Sequence, residues 1–597
     1  MFQNDQEVLP MDQRPSIPTA LTITRVKERR NTMDSTFVVP STTRFIGFLL
    51  GFLFALMISV QVPAALRPTL TLIPTHTDGF NRNFNPFDET IGAFYAQDFI
   101  YEPLWIYNVW HPGKDFPRLA KSYTIADNLK SITYHLRKGV KWSDGEEFNA
   151  DDVIFTVNYS KQHPDLPIGI PWYDPDSQKG LITKVRKTGS HSVRFDLAKP
   201  SALAHQTIGV LYPIPEHIWK DIENPAEFDN PNPVGTGPFT EIYRFKVHYF
   251  SVCRNPHYYQ NKQLKVDCLK FPQYSGNTQL WAAARRGLID WMGDGMTDPE
   301  STFTSKHPGN KYWFAPGGNA NLQLNTTKPP FNNLAFRKAM SMALNRQHIR
   351  EVDTFGLTSE SPYPIGTGPF YQQWFDREQL NQYKYLMDYD PQEAKTVLDK
   401  AGFVDRNGDG WRDTPEGRPI KFKLSVPSGW TDWVNTLLTV SNNLQAIGIN
   451  AELETKDESE WFRDIPTGNF DVYIMWTLPS VTPWATYNHM FNPDTMVPGR
   501  LSGQSMHQME IPEINELLDE FAITVNGVKQ QRIMTKIHRE VAENLPVISL
   551  FANPTWYQYN DSRFTGWVTP DNPYVRPMVH KGVPERLIHV LNLEPKI

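Results

Sequence analysis

The spacing of apolar residues changes along the chain. In the first half, short alternating stretches at Leu66–Pro74, Phe99–Tyr107 and Ser131–Leu136 predict β-strands. Further on, Leu334–Ile349 has apolar residues at helical spacing, and Pro391–Gly402 starts with Pro and stops at Gly, as helices do. The two halves are therefore expected to form different bodies.

The second half also predicts how its elements connect. Phe422–Val426 reads as a strand, Trp433–Ile447 as an amphipathic helix and Ile449–Leu453 as a strand again. Phe470–Trp476 follows as a buried strand. This order predicts a β-α-β crossover and an α/β domain with parallel pairing.

One stretch of the first half predicts a complete supersecondary unit. Arg137–Val153 reads as a strand end, a turn at Ser143–Gly145 and a helix capped by Asn149. Asp in such a turn bonds its own backbone, and an Asn side chain can accept a bond from the first free amides of a helix. The unit fixes a fold element and carries no chemistry by itself.

Length and charge narrow the class of protein. A chain of 597 residues is long enough for two or three domains, each with its own core. The net charge of -6 gives no field that attracts nucleic acid, so nucleic acid is not an expected partner.

The N-terminal region predicts export. Arg44 precedes the uncharged apolar run Phe45–Val60, and small residues follow near Ala64. This order is typical of a secretory signal peptide cleaved after about Ala64, which predicts a periplasmic protein. An uncleaved membrane anchor stays open as the alternative, although the run is short for a membrane-spanning helix.

Export bears on the two cysteines. Cys253 and Cys268 are the only thiols, and in an oxidising compartment a pair this close in sequence predicts a disulfide. The bridge would hold a hairpin or a pair of strands together. Two cysteines are too few ligands for a zinc site.

Several motifs resemble the extracytoplasmic solute-binding proteins of ABC transporters, a family with oligopeptide, dipeptide, nickel and oligosaccharide receptors. They are Tyr101–Leu104, Arg137–Val153, Gly235–Phe239, Phe336–Met340, Tyr389–Phe403, Leu444–Ile449 and Phe470–Val472. The resemblance implies a monomer of the α/β class with the two-lobed periplasmic-binding-protein fold, a hinge, an extra inserted subdomain and a membrane permease as partner. It implies no required cofactor.

The same resemblance implies the domain order. An N-terminal extension with the signal peptide is followed by a discontinuous lobe I, into which a subdomain is inserted, and by lobe II. The expected bounds are 1–64 for the extension, 65–100, 232–330 and 552–597 for lobe I, 101–231 for the inserted subdomain and 331–551 for lobe II.

Within the family, three segments resemble the chitooligosaccharide receptors most. They are Arg82–Phe87, Ser428–Trp433 and the C-terminal stretch from Tyr557 to Val590. The two cysteines fit this branch. A neutral β-linked oligosaccharide is therefore the expected ligand, held by aromatic rings and by polar side chains.

Trp430 is the first candidate for such a ring. It follows Gly429 between a strand and a helix, where α/β folds bind ligands, and the glycine would let the backbone come close. The alternative is that the indole only fills the core. The full set of candidate ligand-binding residues is Trp430, Trp567, Trp476, Trp484, Asn83, Arg82, Asn85 and Asp432.

The runner-up ligand is a peptide. Peptide receptors of this family use an Asp to meet the α-ammonium, whereas Trp476 to Asn492 contains no acidic residue. Neutral sugar is favoured for that reason. The chain also lacks the aromatic residue near Leu478 and the acidic residue near Thr482 that chitooligosaccharide receptors tend to carry, so the exact sugar stays open.

A second motif has the spacing of a calcium loop. It runs from Asp405 to Glu416, with a glycine at the sharp turn, but its flanks are not paired helices. A plain structural turn and a structural calcium site both stay open. The candidate ligands are Asp405, Asn407, Asp409, Trp411, Asp413 and Glu416.

Enzymatic motifs are missing from the sequence. There is no Gly-x-Ser-x-Gly elbow, no His-Glu-x-x-His pair and no phosphate-binding glycine loop followed by Lys. Acidic pairs such as Glu146–Glu147 read as solvated surface, and a glycoside hydrolase is the less favoured alternative. The expectation is a receptor without catalysis.

Overall fold

The structure is a computed structural model that describes residues 67–88, 93–177, 180–493, 496, 505–580 and 582–596. The predicted signal peptide, within residues 1–64, lies outside the described residues. Three sheets divide the described chain into lobe I, lobe II and an inserted subdomain. No helix in these ranges is both long and apolar enough to cross a membrane.

Lobe I is built on a seven-stranded sheet. Thr69–Ile73 lies in its interior and pairs in parallel with two neighbours, whereas the other pairings are antiparallel. The order across the sheet is Asn310–Tyr312, Gln558–Asn560, Trp291–Met292, Thr69–Ile73, Cys268–Pro272, Tyr249–Arg254 and Phe239–Lys246.

The predicted disulfide is confirmed. Cys253 and Cys268 are bonded and lie directly opposite each other on adjacent antiparallel strands of lobe I. The bridge therefore holds two paired strands together, as the sequence predicts.

Lobe II is built on a five-stranded sheet. Lys421–Pro427 pairs in parallel with Asn450–Lys456, and helix Thr431–Gln445 connects them, which confirms the predicted β-α-β crossover. The order across the sheet is Asn450–Lys456, Lys421–Pro427, Val472–Thr477, Asn319–Leu324 and Val547–Ala552. The core of this lobe is rich in Leu, Ile and aromatic side chains, and buried residues of four helices contribute to it: Leu334–Met342, Pro391–Lys400, Thr431–Gln445 and Glu458–Asp464.

The inserted subdomain is a four-stranded antiparallel sheet with one long helix. Helix Ala150–Gln162 begins at Asn149, whose side chain accepts from Asp151 N–H as part of a capping box, so the predicted cap is confirmed. The order across the sheet is Ala120–Ile125, Ser131–Leu136, Ser192–Leu197 and Ile182–Gly189.

One predicted strand is wrong. The structure has helix Ala93–Ile100 followed by the short strand Trp105–Ile106 where the sequence predicts a strand over Phe99–Tyr107. Phe99, Ile100 and Tyr101 are fully buried, so a run of apolar residues here reflects burial on all sides. Periodicity alone does not separate a buried helix from a buried strand.

The remaining elements are short connections and packing helices. The other strands are Phe116–Pro117, Phe564–Thr565 and Glu594–Pro595. The other α-helices are Ala204–Ile208, Glu216–Trp219, Asn277–Arg285, Pro299–Thr302, Leu334–Met342, Arg346–His348, Arg377–Asn381, Pro391–Lys400, Glu458–Asp464, Pro483–Phe491, Pro512–Ile523, Gly527–Asn544 and Glu585–Asn592. Single turns of other helix types are Thr304–Lys306, Ile349–Asp353, Pro369–Trp374 and Lys384–Leu386.

The chain crosses between the lobes in two segments, 312–319 and 552–558. The segments run antiparallel, and Thr555 N–H donates to the Ala315 carbonyl at 2.8 Å. Such a pair of crossing segments is the usual form of a hinge. The predicted domain bounds stay a prediction. Strand Asn319–Leu324 belongs to the sheet of lobe II, whereas the sequence analysis places residues 232–330 in lobe I.

Candidate functional site

A cavity of about 120 Å³ lies between the two lobes, beside the crossing segments. Lobe II contributes the turn between strand Lys421–Pro427 and helix Thr431–Gln445, together with the end of strand Val472–Thr477. Lobe I contributes the loops that follow strands Thr69–Ile73 and Trp291–Met292. All these loops follow the carboxyl ends of parallel strands, where open α/β sheets bind ligands.

Four indoles line the cavity. Trp430, Trp433 and Trp476 come from lobe II, with ring centroids 5.4 to 5.7 Å apart. Trp556 comes from a crossing segment. Trp430 Nε1 donates to Glu458 Oε2 at 3.3 Å, which fixes the edge of that ring. The rings form an apolar wall with few free polar atoms.

The lobes are in contact at the rim of this cavity. A Cβ added to Gly429 would lie 2.9 Å from the Ser275 carbonyl oxygen, and Gly276 of lobe I faces Gly429 directly. Asn277 N–H donates to the Gly429 carbonyl at 3.4 Å. The structure therefore has the arrangement of a closed clamp, and Gly429 lets the backbone of lobe I come close to that of lobe II.

Carboxylates from both lobes meet in the cavity. Asp294 of lobe I accepts from His76 Nε2 at 3.3 Å. Asp432 of lobe II is 7% exposed, and its Oδ2 would lie 2.9 Å from a Cβ on Gly295. Burial, and then the charge of Asp294, raise the pKa of Asp432 to about 7.

A third carboxylate lies at the edge of this group. Glu458 accepts from Thr75 Oγ1 at 3.2 Å, across the two lobes, and burial raises its pKa. Burial lowers the pKa of His76, but its bond with Asp294 and the nearby carboxylates outweigh burial, so the net shift is upward. The cavity thus holds three carboxylates and one imidazole that favours its charged form.

A second imidazole in the cavity stays neutral. Burial lowers the pKa of His580 to about 4. The Nδ1 atoms of His76 and His580 are both buried and have no hydrogen-bond partner. They are donors or acceptors that a bound solute can satisfy.

Three of the predicted ligand-binding residues line the cavity. They are Trp430, Trp476 and Asp432. Trp484 does not, because its Nε1 donates to the Leu518 carbonyl at 2.9 Å and its ring packs on the helices of lobe II.

Trp567 lies in the core of lobe I instead of the cavity. It is 6% exposed, its Nε1 donates to the Phe564 carbonyl at 2.9 Å, and its ring stacks on Tyr559. A glycine before a tryptophan in a polar segment predicts exposure, but packing against the C-terminal helix buries this ring.

Arg82, Asn83 and Asn85 form hydrogen bonds that hold a turn of the chain together. Arg82 Nε donates to the Pro231 carbonyl at 3.1 Å. Asn83 Nδ2 donates to Asp88 Oδ2 at 2.6 Å, and Asn85 Nδ2 donates to the Pro225 carbonyl at 2.7 Å. Two of these bonds tie the loop to the end of the inserted subdomain, and none of the three residues lines the cavity.

Sequence reasoning missed most of the charged groups of the cavity. His76 and Asp294 follow short strands of lobe I, and His580 lies in the C-terminal segment. The rule that ligands bind beyond the carboxyl ends of parallel strands, applied to lobe I as it was to Trp430, would have found the first two. No sequence signal places His580 beside them.

The Asp405–Glu416 loop is exposed and folded by its own bonds. Asp405 accepts from Gly408 N–H and Gly410 N–H at 2.7 and 2.9 Å, and Trp411 N–H donates to Asp409 Oδ1 at 2.8 Å. Asn407 Oδ1 accepts from Asp409 N–H at 2.9 Å, Asp413 from Arg406 N–H at 2.9 Å, and the Thr414 hydroxyl lowers the pKa of Glu416.

Several of the candidate calcium ligands therefore already accept hydrogen bonds from the loop itself. Among the described residues, no group of three or more His, Cys, Asp or Glu is arranged to hold a metal ion. The structural turn fits this conformation of the loop, and the calcium site stays an untested prediction. An open depression of about 420 Å³ beside Asp405 and Arg412 faces solvent and does not enclose a ligand.

The family model of the bacterial extracellular solute-binding proteins, family 5 Middle, matches residues 116–497. The chain therefore belongs to this family, whose members are substrate-binding proteins of ABC importers.

Known relatives agree with this assignment. Di/tripeptide-binding protein 1 of Pseudomonas aeruginosa is 25% identical over 564 residues, 89% of this chain and 95% of the relative. The nickel-binding periplasmic protein of Escherichia coli is 26% identical over 488 residues, 78% of this chain and 86% of the relative. The mannohexaose-bound periplasmic oligopeptide-binding protein of Thermotoga maritima has a TM-score of 0.80 and 26% identity, and covers 89% of this chain and 99% of its own. The predicted two-lobed fold is confirmed.

Proposed function

We propose that this protein is the receptor of an ABC importer for short peptides, which it holds between its lobes by their free amino end and delivers to the membrane permease. The carboxylates Asp294 and Asp432, brought together from opposite lobes in one enclosed cavity, carry this proposal. The expected neutral sugar gives way to the peptide alternative for that reason.

Charge in the cavity favours a cation. His76 is bonded to Asp294 and also acts on Asp432, but no Lys or Arg lines the cavity in the described part of the chain, and Asp432 is nearly fully buried. Burying a carboxylate without a charged partner is costly, whereas an ammonium group would supply both charge and hydrogen bonds. A neutral sugar would leave this carboxylate unpaired.

The segment from Trp476 to Asn492 has no acidic residue, which disfavours a peptide ligand if the α-ammonium must be met there. In the structure the acidic groups of the cavity come from elsewhere, at Asp294 and Asp432. The absence in that one segment therefore does not exclude a cationic ligand. A relative named for di- and tripeptides, aligned over 89% of this chain, agrees with the peptide proposal.

A neutral oligosaccharide is the second candidate. The four indoles favour it, because aromatic faces stack on the flat faces of sugar rings. The solved relative that is bound to mannohexaose shows that this family can hold a sugar. The predicted chitooligosaccharide is one member of this class, and none of the relatives named above is a chitooligosaccharide receptor.

Binding requires the lobes to move. A cavity of about 120 Å³ is smaller than a ligand pocket of roughly 300 Å³ or more, and it is enclosed by both lobes. A solute therefore enters with the lobes apart. The solute-free clamp, closed as in this structure, opens transiently to admit a solute, which then stabilises the closed arrangement because only that arrangement lets it touch both lobes.

A thermal-shift screen followed by calorimetry tests the ligand class. The panel contains dipeptides, tripeptides, their N-acetylated forms, chitooligosaccharides and mannooligosaccharides. We expect peptides with a free amino end to raise the melting temperature and their acetylated forms to have little effect. Stabilisation by a neutral sugar alone would overturn the peptide proposal in favour of the second candidate.

A further inference from the structure

Closure brings two carboxylates of different lobes together. Asp294 lies on a loop of lobe I beside Gly295, and Asp432 lies in the first turn of helix Thr431–Gln445 in lobe II. The side-chain amide of Asn277 links the two lobes. In the orientation that satisfies both of its ends, its nitrogen donates to Asp294 Oδ2 at 3.2 Å and its oxygen accepts from Thr431 Oγ1 at 3.2 Å. The contact exists only where the lobes meet.

The groups that face Asp432 do not neutralise it. Asp294 and His76 of lobe I act on Asp432, and the backbone N–H groups of Asp432 and Trp433 in lobe II donate to it, whereas Glu458 acts on His76. His76 is bonded to Asp294, and His580 favours its neutral form. Asp78 adds a further negative charge near Glu458. When the lobes close without a solute, three carboxylates share one imidazole that favours its charged form, so two negative charges lack a partner.

We propose that a proton occupies Asp432 in the closed, solute-free clamp and that a cationic solute displaces this proton, so that capture releases it to the solvent. This inference rests on the proposed peptide function. The proton leaves the Asp432 carboxyl group, and the ammonium group of the solute then bonds the carboxylate. The net charge of the cavity stays nearly constant through the exchange.

The electrostatics of the cavity agree with the exchange. Burial and the neighbouring Asp294 raise the pKa of Asp432 to about 7, so its proton is held at mildly acid pH and lost above neutrality. A bound ammonium would lower that pKa again. Binding that releases a proton strengthens as pH rises through the pKa of the free protein. The α-amino group of a peptide has a pKa of about 8, so it is charged at pH 6 and takes up a fraction of a proton on binding at pH 7.5, which a titration of the free peptide corrects.

Calorimetry of the full mature chain measures the exchange directly. The probe is the tightest-binding histidine-free peptide among the dipeptides and tripeptides, titrated at pH 6 and 7.5 in buffers with different ionisation enthalpies. We expect release of most of one proton at pH 6 and almost no net release at pH 7.5, where uptake by the α-amino group offsets it. The affinity should rise about fivefold between the two pH values.

Asp432→Asn identifies the source of the proton. In this variant we expect weaker binding, no proton release and an affinity that no longer depends on pH. Asp571→Asn is the matched control, because Asp571 is exposed in the C-terminal segment, and it should keep the release of the parent chain.

The outcomes separate this inference from the function on which it rests. Peptide binding with no proton release at pH 6, or with the same release in Asp432→Asn, overturns the exchange and leaves the peptide receptor standing. Failure of every peptide to bind overturns both.

Discussion

The exposed Asp405–Glu416 loop of lobe II and the cavity between the lobes each hold a cluster of acidic residues, and the surroundings of the two clusters differ. In the exposed loop, backbone amides within 2.9 Å surround Asp405 and hold its pKa below the usual range. In the cavity, Asp432 is buried beside another carboxylate and its pKa is raised to about 7. The comparison indicates that hydrogen-bond donors and access to water decide whether an acidic residue is structural or is available to a ligand. A carboxylate that its own chain satisfies in water is structural, whereas a buried one beside a second carboxylate is stabilised by a cation from outside.

The largest expected effect is the difference in ligand affinity between variants in which one aspartate of each cluster is substituted. Asp432→Asn should weaken binding of a peptide at least thirtyfold at pH 7.5, because a buried ammonium loses its charged partner. Asp405→Asn should leave the affinity unchanged and lower the melting temperature, since loop amides lose an acceptor. Calorimetry and thermal melting measure both variants. Equal affinities in the two variants would contradict the comparison.

The next effect concerns closure, without which the cavity cluster does not form. Gly429→Ala places a methyl group 2.9 Å from the Ser275 carbonyl oxygen, so the lobes cannot close fully. We expect about a tenfold loss of affinity, since the closed state becomes less populated. Gly527→Ala is the matched control, because a Cβ there meets nothing within 4 Å. A parent-like affinity for Gly429→Ala would show that the lobe contact does not matter.

The aromatic wall should contribute less than the charges. Trp430→Ala is expected to weaken binding about fivefold, because an aromatic contact adds on the order of 1 kcal/mol beyond the area it buries. Trp567→Phe should leave affinity unchanged and lower the free energy of unfolding by about 1–2 kcal/mol, since the core of lobe I loses ring volume and the bond to the Phe564 carbonyl. Chemical denaturation measures the second effect. Weaker binding by Trp567→Phe together with parent-like binding by Trp430→Ala would show that Trp567, and not Trp430, contacts the ligand.

Calcium gives the smallest expected effect. The loop oxygens already accept from backbone amides, so millimolar calcium should shift the melting temperature by less than about 1 °C. EDTA serves as the control. A rise of several degrees that EDTA reverses would show that the loop rearranges into a calcium site.

Much of the fold follows from local sequence signals. The β-α-β crossover around helix Thr431–Gln445, the cap at Asn149 and the Cys253–Cys268 bridge all rest on residues that are close in the chain. The strand predicted over Phe99–Tyr107 fails, because complete burial removes the polar side of the pattern. Local periodicity therefore predicts elements best where one face meets water.

The candidate site is predictable only in part for the same reason. Trp430 and Asp432 were found because one strand-helix junction contains them both. The charges of the cavity come from segments as distant as His76, Asp294 and His580, which only the fold brings together. Trp567 shows the opposite failure, since a local turn signal gives no information about what packs on the ring.

The central claim is that the cavity between the lobes pairs a buried carboxylate with a cation. Calorimetric titration of the chain with one tripeptide and with its N-acetylated form at pH 7.5 tests it most directly. The account predicts that the free tripeptide binds and that acetylation weakens binding at least thirtyfold, because it removes the charge that Asp432 meets. Equal binding of both forms would contradict it.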